Sequence, residues 1–405
     1  MEILKPTNCG ECGHLADCGG MEGQLSLTGG CFSHCGPVCI ASGCDQACPF
    51  REEDYVLKQM EVGGEDYWPP VELRGPEFVE LPIYIPAIRH GYGRAAPFKA
   101  PNNLVVLSLY DVLQHSGLVR GNGTFSSDPA LALRQRFKLD PETEIVVTST
   151  GFDPKLEAFF ANYGSAKIGK TLASLRLAAM SPPNYSLFRS TANAPIVRTD
   201  VRWNLKRIWR ACADLSADGV PVIPHLNAMT AKDWDDWTRF FAERPQLKFV
   251  AIEFQTGLRN RAAAALTLRR FAELQKKIGR PLHPIFIGGV QFRSEIARIF
   301  KSFTFVNSDP FMKALHRHVV DLDHDLSTRW IKEATERGEP ADAHLRLNVE
   351  NYIQRLSGSL KTAPEDARRP QDFWDLAMGN GWRDQLLADN YTRFRRGLPL
   401  MELSA

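Results

Sequence analysis

Short apolar runs alternate with amphipathic segments over most of this chain. The runs are mostly continuous, with little strict alternation of apolar and polar residues, which is typical of parallel strands buried on both faces. They predict strands at Leu81–Ile85, Leu104–Leu109, Glu144–Ser149, Tyr185–Phe188, Val220–His225, Lys248–Phe254, Pro284–Ile287 and Phe303–Val306.

The segments between these runs carry the helical period. One predicted helix is capped by Asp200 and ends at Asp218-Gly219; two others are predicted at Ala231–Glu243 and from about Arg259 to Ile278. About eight strands joined by helices favour an α/β fold, specifically a (β/α)8 TIM-like barrel. A doubly wound open sheet is the alternative.

Length and local composition divide the 405 residues into four parts. Residues 1–50 form a Cys-rich module, and residues 51–103, which are rich in Pro and Gly, form a linker that leads into the barrel. The barrel is predicted over residues 104–318, and a helical C-terminal extension over residues 319–405.

Eight of the nine cysteines fall within the first 48 residues, with glycines beside many of them. Crowded thiols in a reducing compartment indicate a metal or cluster centre rather than disulfides. Three-residue gaps and a terminal Cys-Pro favour [4Fe–4S] ligation over zinc, for which His14 and His34 are further candidate ligands. The predicted ligands are Cys9, Cys12, Cys18, Cys31, Cys35, Cys39, Cys44 and Cys48.

A redox enzyme with an iron–sulfur centre is one reading of this module. Cys31, Cys35 and Cys39 have the spacing C-x3-C-x3-C, whereas radical S-adenosylmethionine enzymes use C-x3-C-x2-C after a first barrel strand. The last gap is one residue longer here, and the cysteines precede every predicted barrel strand. A purely structural metal centre is therefore favoured over a radical-type one.

Charge is distributed unevenly although the net charge is only +2. Residues 1–80 contain 4 Lys/Arg and 14 Asp/Glu, and the remainder contains 45 and 33, so the main body is basic. A basic body suits a polyanionic partner such as nucleic acid. No apolar stretch of about 18 residues and no signal-peptide pattern is found, so we expect no membrane span and a cytoplasmic location.

In a (β/α)8 barrel the functional groups follow the carboxyl ends of the strands. Glu253 stands out because an unpaired carboxylate inside an apolar strand is costly. Asp153 and Asp309 also fit helix N-caps, and His225 also fits a buried core histidine. The candidates at strand ends are Asp153, Asn184, His225, Asn227, Glu253, Gln255, Gly288, Gly289, Gln291, Asn307, Ser308 and Asp309.

The order of these segments over residues 144–318 resembles the tRNA-guanine transglycosylase superfamily, including its branch that inserts 7-deazaguanine into DNA. Residues 219–227 resemble the strand that ends in the family's Gln-Gly-Gly motif, and residues 250–257 resemble its base-recognition strand. Residues 285–290 resemble its late strand with a glycine pair, and residues 303–310 resemble the strand that delivers its nucleophilic aspartate.

The sequence departs from the family at three places. Thr148 stands where the family has a second essential aspartate, with Asp153 five residues further on, and Asn184 replaces the aspartate that reads guanine. The family's zinc site follows the late strands, whereas these cysteines precede the barrel.

The resemblance implies base exchange on guanine in DNA or RNA. Asp309 would attack the sugar C1′, and Asp153 or Glu253 would transfer the proton of the leaving and entering base. A flipped, purine-like base would be bound by Asn184, His225, Asn227, Gln255, Gly288 and Gly289, with phosphates near Arg317 and further basic residues such as Lys206, Arg207, Arg210, Arg261, Arg269, Arg270 and Lys313. A non-catalytic nucleic-acid-binding component of a larger protein complex is a third hypothesis.

Overall fold

The structure is a computed structural model that describes residues 67–113, 128–151, 156, 159–160, 162–185, 198–229, 231–255, 258, 261–320 and 330–361. Within these residues the chain is a mixed α/β structure with parallel sheets, which confirms the predicted α/β class. The eight N-terminal cysteines and Asp153 lie outside the described residues.

Seven parallel strands build two sheets. One sheet has the order β1-β7-β6-β5 and the other has the order β2-β3-β4, and every pairing in both is parallel. The strands are β1 (Tyr84–Pro86), β2 (Leu104–Ser108), β3 (Glu144–Thr148), β4 (Ala179–Met180), β5 (Phe249–Phe254), β6 (His283–Gly288) and β7 (Thr304–Asn307).

Isolated parallel bridges connect the two sheets. Ala87 pairs with Val106 and so joins β1 to β2. On the other side, Met180 pairs with Val222 and His225 pairs with Ala251, so the segment 222–225 lies between β4 and β5. Following these pairings from strand to strand therefore leads through all seven strands and the segment 222–225 and returns to β1.

Alternate residues of these strands pack into two separate clusters. The smaller cluster receives at least one side chain from each of the seven strands and from the segment 222–225: Ile85, Val106, Val146, Ala179, Ile223, Ala251, Ile285 and Val306 belong to it. The intervening residues, such as Val105, Val147 and Phe286, join the larger cluster that contains the helices. This division follows from the two-residue repeat of a strand, which sends successive side chains to opposite faces.

Helices connect and surround the strands. α5 begins and ends almost as predicted, whereas α4 begins before Asp200, so that residue lies inside the first turn and does not cap the helix. The helices are α1 (Leu109–Val112), α2 (Pro129–Arg136), α3 (Ile168–Ser174), α4 (Arg198–Ala217), α5 (Ala231–Ala242), α6 (Arg261–Ile278), α7 (Arg293–Ile299), α8 (Asp309–Leu315) and α9 (Asp342–Lys361).

The fourth strand lies earlier in the chain than predicted. Ala179 and Met180 form β4, whereas Tyr185, the first residue of the predicted strand, belongs to no strand. Pro182 and Pro183 follow Ser181 just after β4 and lack the N–H groups that a strand ladder needs. They end the strand and turn the chain towards Asn184.

Residues 67–82 pack against α4, α5 and the amino ends of the strands. The buried guanidinium of Arg244 donates to the carbonyls of Pro69 and Pro70. Trp68 donates from Nε1 to Glu243 Oε2 over 2.6 Å, and Val222 N donates to Arg74 O over 2.7 Å. The segment before β1 is therefore an ordered part of the structure.

Beyond β7 the chain forms a hairpin and a long helix. Strands β8 (His318–Val320) and β9 (Trp330–Lys332) pair antiparallel, in a region predicted to be helical. Asn348 on α9 donates to His318 O over 2.8 Å and accepts from Val320 N over 3.0 Å. Helix α9 is thus fastened to the hairpin through one side chain.

Among the helices described, none combines the length and the apolar character that crossing a membrane requires.

Candidate functional site

Three of the predicted site residues meet in one hydrogen-bonded cluster at the carboxyl ends of the strands. Asn184 donates from Nδ2 to Glu253 Oε2 over 3.2 Å. Asn227 donates from Nδ2 to Asn184 Oδ1 over 2.9 Å. We call Asn184, Asn227 and Glu253 the polar cluster. All three side chains are partly exposed, so the cluster lies at a surface that a ligand can reach.

Backbone contacts hold the two asparagines in place. Asn184 N donates to Ser149 O over 3.2 Å, which ties the turn after β4 to the end of β3. Asn227 also donates to Tyr185 O over 3.2 Å, and its own carbonyl accepts from the buried Trp237 Nε1 over 2.8 Å. Because α5 supplies Trp237, the position of Asn227 depends on the packing of that helix.

A pair of buried serines lies beneath the cluster and was not predicted as part of the site. Ser149 donates from Oγ to Ser181 O over 2.7 Å, and Ser149 N donates to Ser181 Oγ over 3.2 Å. The pair joins the ends of β3 and β4. The signal in the sequence is that Ser181 directly follows the apolar run 177–180 and that Ser149 is the last residue of a predicted strand.

The face of the strands that forms the smaller cluster is apolar at the amino ends and polar at the carboxyl ends. Towards the amino ends it carries Leu104, Val146 and Ile285. Towards the carboxyl ends, the same alternation places Thr148 and Glu253 on that face. The strands thus present an apolar layer below and a polar layer at the edge where the polar cluster lies.

His225, at the end of the segment 222–225, is a further buried polar residue near this edge. Its side chain is 0% exposed, and neither ring nitrogen has a hydrogen-bond partner within the described ranges. Burial lowers the pKa of its imidazole to about 3, so the ring is neutral at pH 7.

Gly288 and Gly289 permit a close approach between β6 and the end of β5. Both have positive φ angles, +80° and +75°. A Cβ at Gly288 would lie 2.9 Å from Gln255 Cγ, and a Cβ at Gly289 would lie 2.8 Å from Phe254 Cβ. Gln255 itself is exposed, one residue beyond the end of β5. The glycine pair thus serves the backbone geometry at this edge.

Asp309 follows β7 at the same edge of the sheet and is the first residue of α8, with Ser308 at the N-cap. Its side chain is exposed, and no hydrogen bond or ion pair of its carboxylate occurs in the described part of the chain. Desolvation by the surrounding protein raises the pKa of the Asp309 carboxyl, and Lys313 opposes this rise. An exposed carboxylate without a bonded partner is available to a ligand.

Asn307 fixes the turn that leads to Asp309. It donates from Nδ2 to the Tyr352 hydroxyl over 2.7 Å and accepts from the Tyr84 hydroxyl at Oδ1 over 3.2 Å. Its Oδ1 also accepts from Asp309 N over 3.3 Å. Asn307 therefore holds structure together and is not directed at a ligand.

Arg317 is engaged by the backbone at the end of α8. Its guanidinium donates to the carbonyls of Ala314 and Glu339, and its φ is +59°. These contacts close the carboxyl end of the helix, where a cation is favourable. The structure places it at that helix end and not in the polar cluster.

Two basic residues of α4, Lys206 and Arg207, face inward. Lys206 and Arg207 are only 4% and 2% exposed. Lys206 donates to Tyr67 O over 2.8 Å, and the Arg207 guanidinium carbon lies 3.9 Å from the centre of the Tyr185 ring. The helical spacing of these residues therefore reflects packing against aromatic rings rather than a phosphate-binding stripe.

Other predicted phosphate contacts form ion pairs. Arg269 and Arg270 both pair with Glu273, and Arg261 pairs with Glu295. The arginine side chains of these pairs remain at least one-third exposed, so the pairs are weakly held in water.

A cavity of about 490 Å³ lies between α4 and residues 159–165, and no residue of the polar cluster lines it. Its polar groups are already paired, since Arg210 donates to Asp214 over 2.8 Å and Tyr163 donates to Asp218 over 2.8 Å. The lining consists of Phe159, Phe160, Tyr163, Gly164, Ser165, Arg210, Ala211, Asp214, Ala217 and Asp218.

Within the described ranges, no three His, Cys, Asp or Glu side chains are grouped in a way that could hold a metal ion. The predicted cysteine ligands lie outside those ranges. Fold and site together define a parallel α/β protein with a polar cluster at the carboxyl ends of its strands. No protein-family model matches the chain, and no curated protein matches its sequence.

Proposed function

We propose that this chain binds a guanine-type base at the polar cluster and exchanges it within DNA or RNA through an aspartyl intermediate. The fold that carries the site is proposed to be a (β/α)8 barrel. The observation that carries the proposal is the Asn184–Glu253 hydrogen bond, which brings a carboxylate and two amides together at the carboxyl ends of parallel strands.

Two features support the barrel. The strand pairings return to their starting point, and the smaller apolar cluster receives at least one residue from each strand. The paired residues can be followed from strand to strand, starting at His225 and passing once through all eight strand positions. This path returns to the same stretch of chain at Ala217, so the stagger is eight residues. A stagger of eight is that of (β/α)8 barrels, whose ligands bind at the carboxyl ends of the strands.

The chemistry of the cluster suits one edge of guanine. Guanine offers two neighbouring N–H donors beside a carbonyl acceptor, and a carboxylate accepts two hydrogen bonds side by side. Glu253 would accept from the donors, and an amide of Asn184 or Asn227 would donate to the carbonyl. Adenine has the opposite donor and acceptor pattern, so the cluster would disfavour it.

The covalent step would be carried by Asp309. Its carboxylate is exposed, follows β7 at the edge that the polar cluster occupies, and makes no hydrogen bond within the described chain. Attack on the sugar C1′ would form an ester bond as the C–N bond to the old base breaks. Glu253 or Asp153 would give a proton to the leaving base and take one from the entering base.

The test of the covalent step is an adduct assay with the full chain. Transfer RNA, duplex DNA and single-stranded DNA are each incubated with 7-deazaguanine, and the denatured protein is examined by mass spectrometry. We expect an adduct with the unaltered protein, none with Asp309→Asn, and an unchanged yield with Asp235→Asn, whose parent side chain forms an exposed ion pair with Lys277. An adduct that persists in Asp309→Asn would reject Asp309 as nucleophile.

A non-catalytic nucleic-acid-binding role is the second candidate, and Thr148 favours it. This residue ends β3 at the edge of the polar cluster and carries no carboxylate. In that case, binding of nucleic acid would fall steeply with salt while no adduct forms under any condition. Filter binding at several salt concentrations, run beside the adduct assay, distinguishes the two functions.

The N-terminal cysteines are proposed to hold a metal centre, with [4Fe–4S] favoured over zinc. The support is their number, their spacing and the adjoining glycines. Thiolates at such spacing would supply a structural or binding element, and the base-exchange steps above use only side chains of the barrel.

A further inference from the structure

The His225 side chain is buried without a hydrogen-bond partner among the described residues, and this arrangement is costly. Its side chain is 0% exposed, and both Nδ1 and Nε2 lack a partner within the described ranges. An imidazole in water bonds through both nitrogens, so its transfer into the protein without partners destabilises the fold. A leucine would fill similar volume without that penalty.

A partly buried histidine of the parallel strands, His283, shows the usual solution. His283, at the amino end of β6, lies with Nε2 2.8 Å from Thr304 Oγ1. Thr304 in turn donates to Pro82 O over 2.7 Å, so its hydroxyl accepts from the imidazole. The Thr304 hydroxyl thus satisfies His283 at the amino ends of the strands, whereas the His225 ring, near the carboxyl ends, has no such partner among the described residues.

His225 lies close to the polar cluster, on the strand face that also carries Glu253. His225 pairs with Ala251, and Glu253 lies two residues further along β5 on the same face. Two residues of strand span about 7 Å. Because Ala251, at the same level as His225, contributes only a methyl group, little side-chain volume of β5 lies beside the imidazole.

The neutral state of the ring limits what it can bind. With the pKa lowered by burial, His225 offers one donor and one acceptor and carries no charge at pH 7. A charged group at that depth would face the same burial without a counter-ion. The carboxylate of Glu253 lies nearer the solvent.

We infer that His225 is the floor of the ligand site, and that the site takes a neutral planar heterocycle which reaches past Glu253 and hydrogen-bonds to the imidazole with a ring nitrogen or carbonyl. This deepens the proposed function, on which it rests for placing the ligand at this edge. His225 would be a specificity-determining residue, because heterocycles without such an atom would leave the imidazole unpaired.

The first test measures the ligand-free protein. Thermal unfolding of the full chain is compared for His225→Leu and His283→Leu. We expect His225→Leu to raise the midpoint by about 3 °C, because a penalty is removed, and His283→Leu to lower it, because the Thr304 hydroxyl loses its partner. A fall in both variants of similar size would show that His225 is an ordinary structural residue and would overturn the inference.

The second test follows the ring directly. Protein labelled with ¹⁵N-histidine is titrated with 7-deazaguanine, guanine, uracil and nicotinamide, and with benzoate and benzamidine as charged controls. We expect one of the neutral compounds to shift the His225 ring nitrogens while His283 stays unchanged, and His225→Leu to weaken that binding at least tenfold.

The outcomes separate this inference from the proposed function. Shifts with uracil or nicotinamide but with neither guanine-type base would support His225 as a ligand contact and reject guanine as the ligand. Binding of 7-deazaguanine without any movement of the His225 signals would support the proposed base and reject the contact with His225. The absence of a shift with all four neutral compounds would also overturn the inference.

Discussion

The Tyr352 hydroxyl accepts a 2.7 Å hydrogen bond from the Asn307 amide, so helix α9 is tied to the last parallel strand. Asn307 also accepts from Tyr84, and the rings of Tyr84 and Tyr352 lie 4.8 Å apart. One buried amide thus joins β1, β7 and α9. It lies two residues before Asp309, and the Asp309 backbone donates to it.

Replacement of Tyr352 by Phe should destabilise the protein by about 1 to 2 kcal/mol. The ring contact with Tyr84 is kept, but the buried Asn307 donor loses its partner. Urea unfolding followed by circular dichroism measures the change. Tyr92→Phe serves as the control because Tyr92 is 80% exposed and should change stability by less than about 0.5 kcal/mol. Equal effects for the two variants would contradict the role given to Asn307.

Replacement of Gly289 by Ala should destabilise the fold by about 2 to 4 kcal/mol. The new Cβ would lie 2.8 Å from Phe254 Cβ, and the φ of +75° disfavours any L side chain. Gly219→Ala isolates the cost of the positive φ, since Gly219 has a φ of +88° but no atom within 4 Å of the added Cβ. Its cost should be about 1 kcal/mol. Unfolding free energies that coincide for the two variants would show that β5 and β6 tolerate separation at this point.

Stability should fall as the pH is lowered below about 6.5. Burial lowers the folded-state pKa values of His225 and His283 to about 3 and about 4, whereas their ordinary value is 6.5. Between these pKa values the unfolded chain binds more protons than the folded chain. Each histidine therefore lowers the free energy of unfolding as the pH falls. For His225 the loss between pH 7 and pH 4 is about 3 kcal/mol.

The matched variant isolates the contribution of His225. His225→Leu should show a flatter decline of unfolding free energy between pH 7 and pH 4 than the unaltered protein, by about 3 kcal/mol over the range. Measurements in urea at half-unit pH intervals give the comparison. A decline of the same steepness in both proteins would mean that the His225 imidazole titrates alike in the folded and unfolded states, so that burial does not lower its pKa.

Metal analysis of the full chain, purified without oxygen, should find about four or more irons per chain and a brown colour. Stoichiometric zinc in a colourless protein would instead identify a zinc module and would also disfavour a redox role. Cys9→Ser should lower the metal content. Cys212→Ser should not, because Cys212 is a buried thiol of α4 whose pKa is raised by desolvation.

Several strands could be predicted because their apolar runs are long enough to stand out. β2, β3, β5, β6 and β7 all lie where continuous apolar residues end in a polar one. β4 was placed wrongly because only Ala179 and Met180 pair, and two residues carry no period. Pro182 and Pro183 precede the predicted strand, whereas in the structure they lie just after the end of β4.

The polar cluster could be predicted residue by residue but not as a set of contacts. Asn184, Asn227 and Glu253 each follow an apolar run, and parallel strands bring such ends to one edge. The hydrogen bonds between them depend on register, which the sequence does not specify. The basic stripe of α4 was misread for a related reason, since Tyr67 and Trp68, which cover Lys206, lie far away in the chain.

The closed sequence of strand pairings also determines how this molecule can meet another chain through its backbone. Each of the seven parallel strands has a paired strand or an isolated bridge on both sides, so neighbouring chain already lies along both of its edges. In the described chain, β9 pairs only with β8 and is largely exposed, with Ile331 at 46% exposure. Strand addition between molecules, and the aggregation that can follow from it, should therefore start at β9, where a charged or proline substitution would block it.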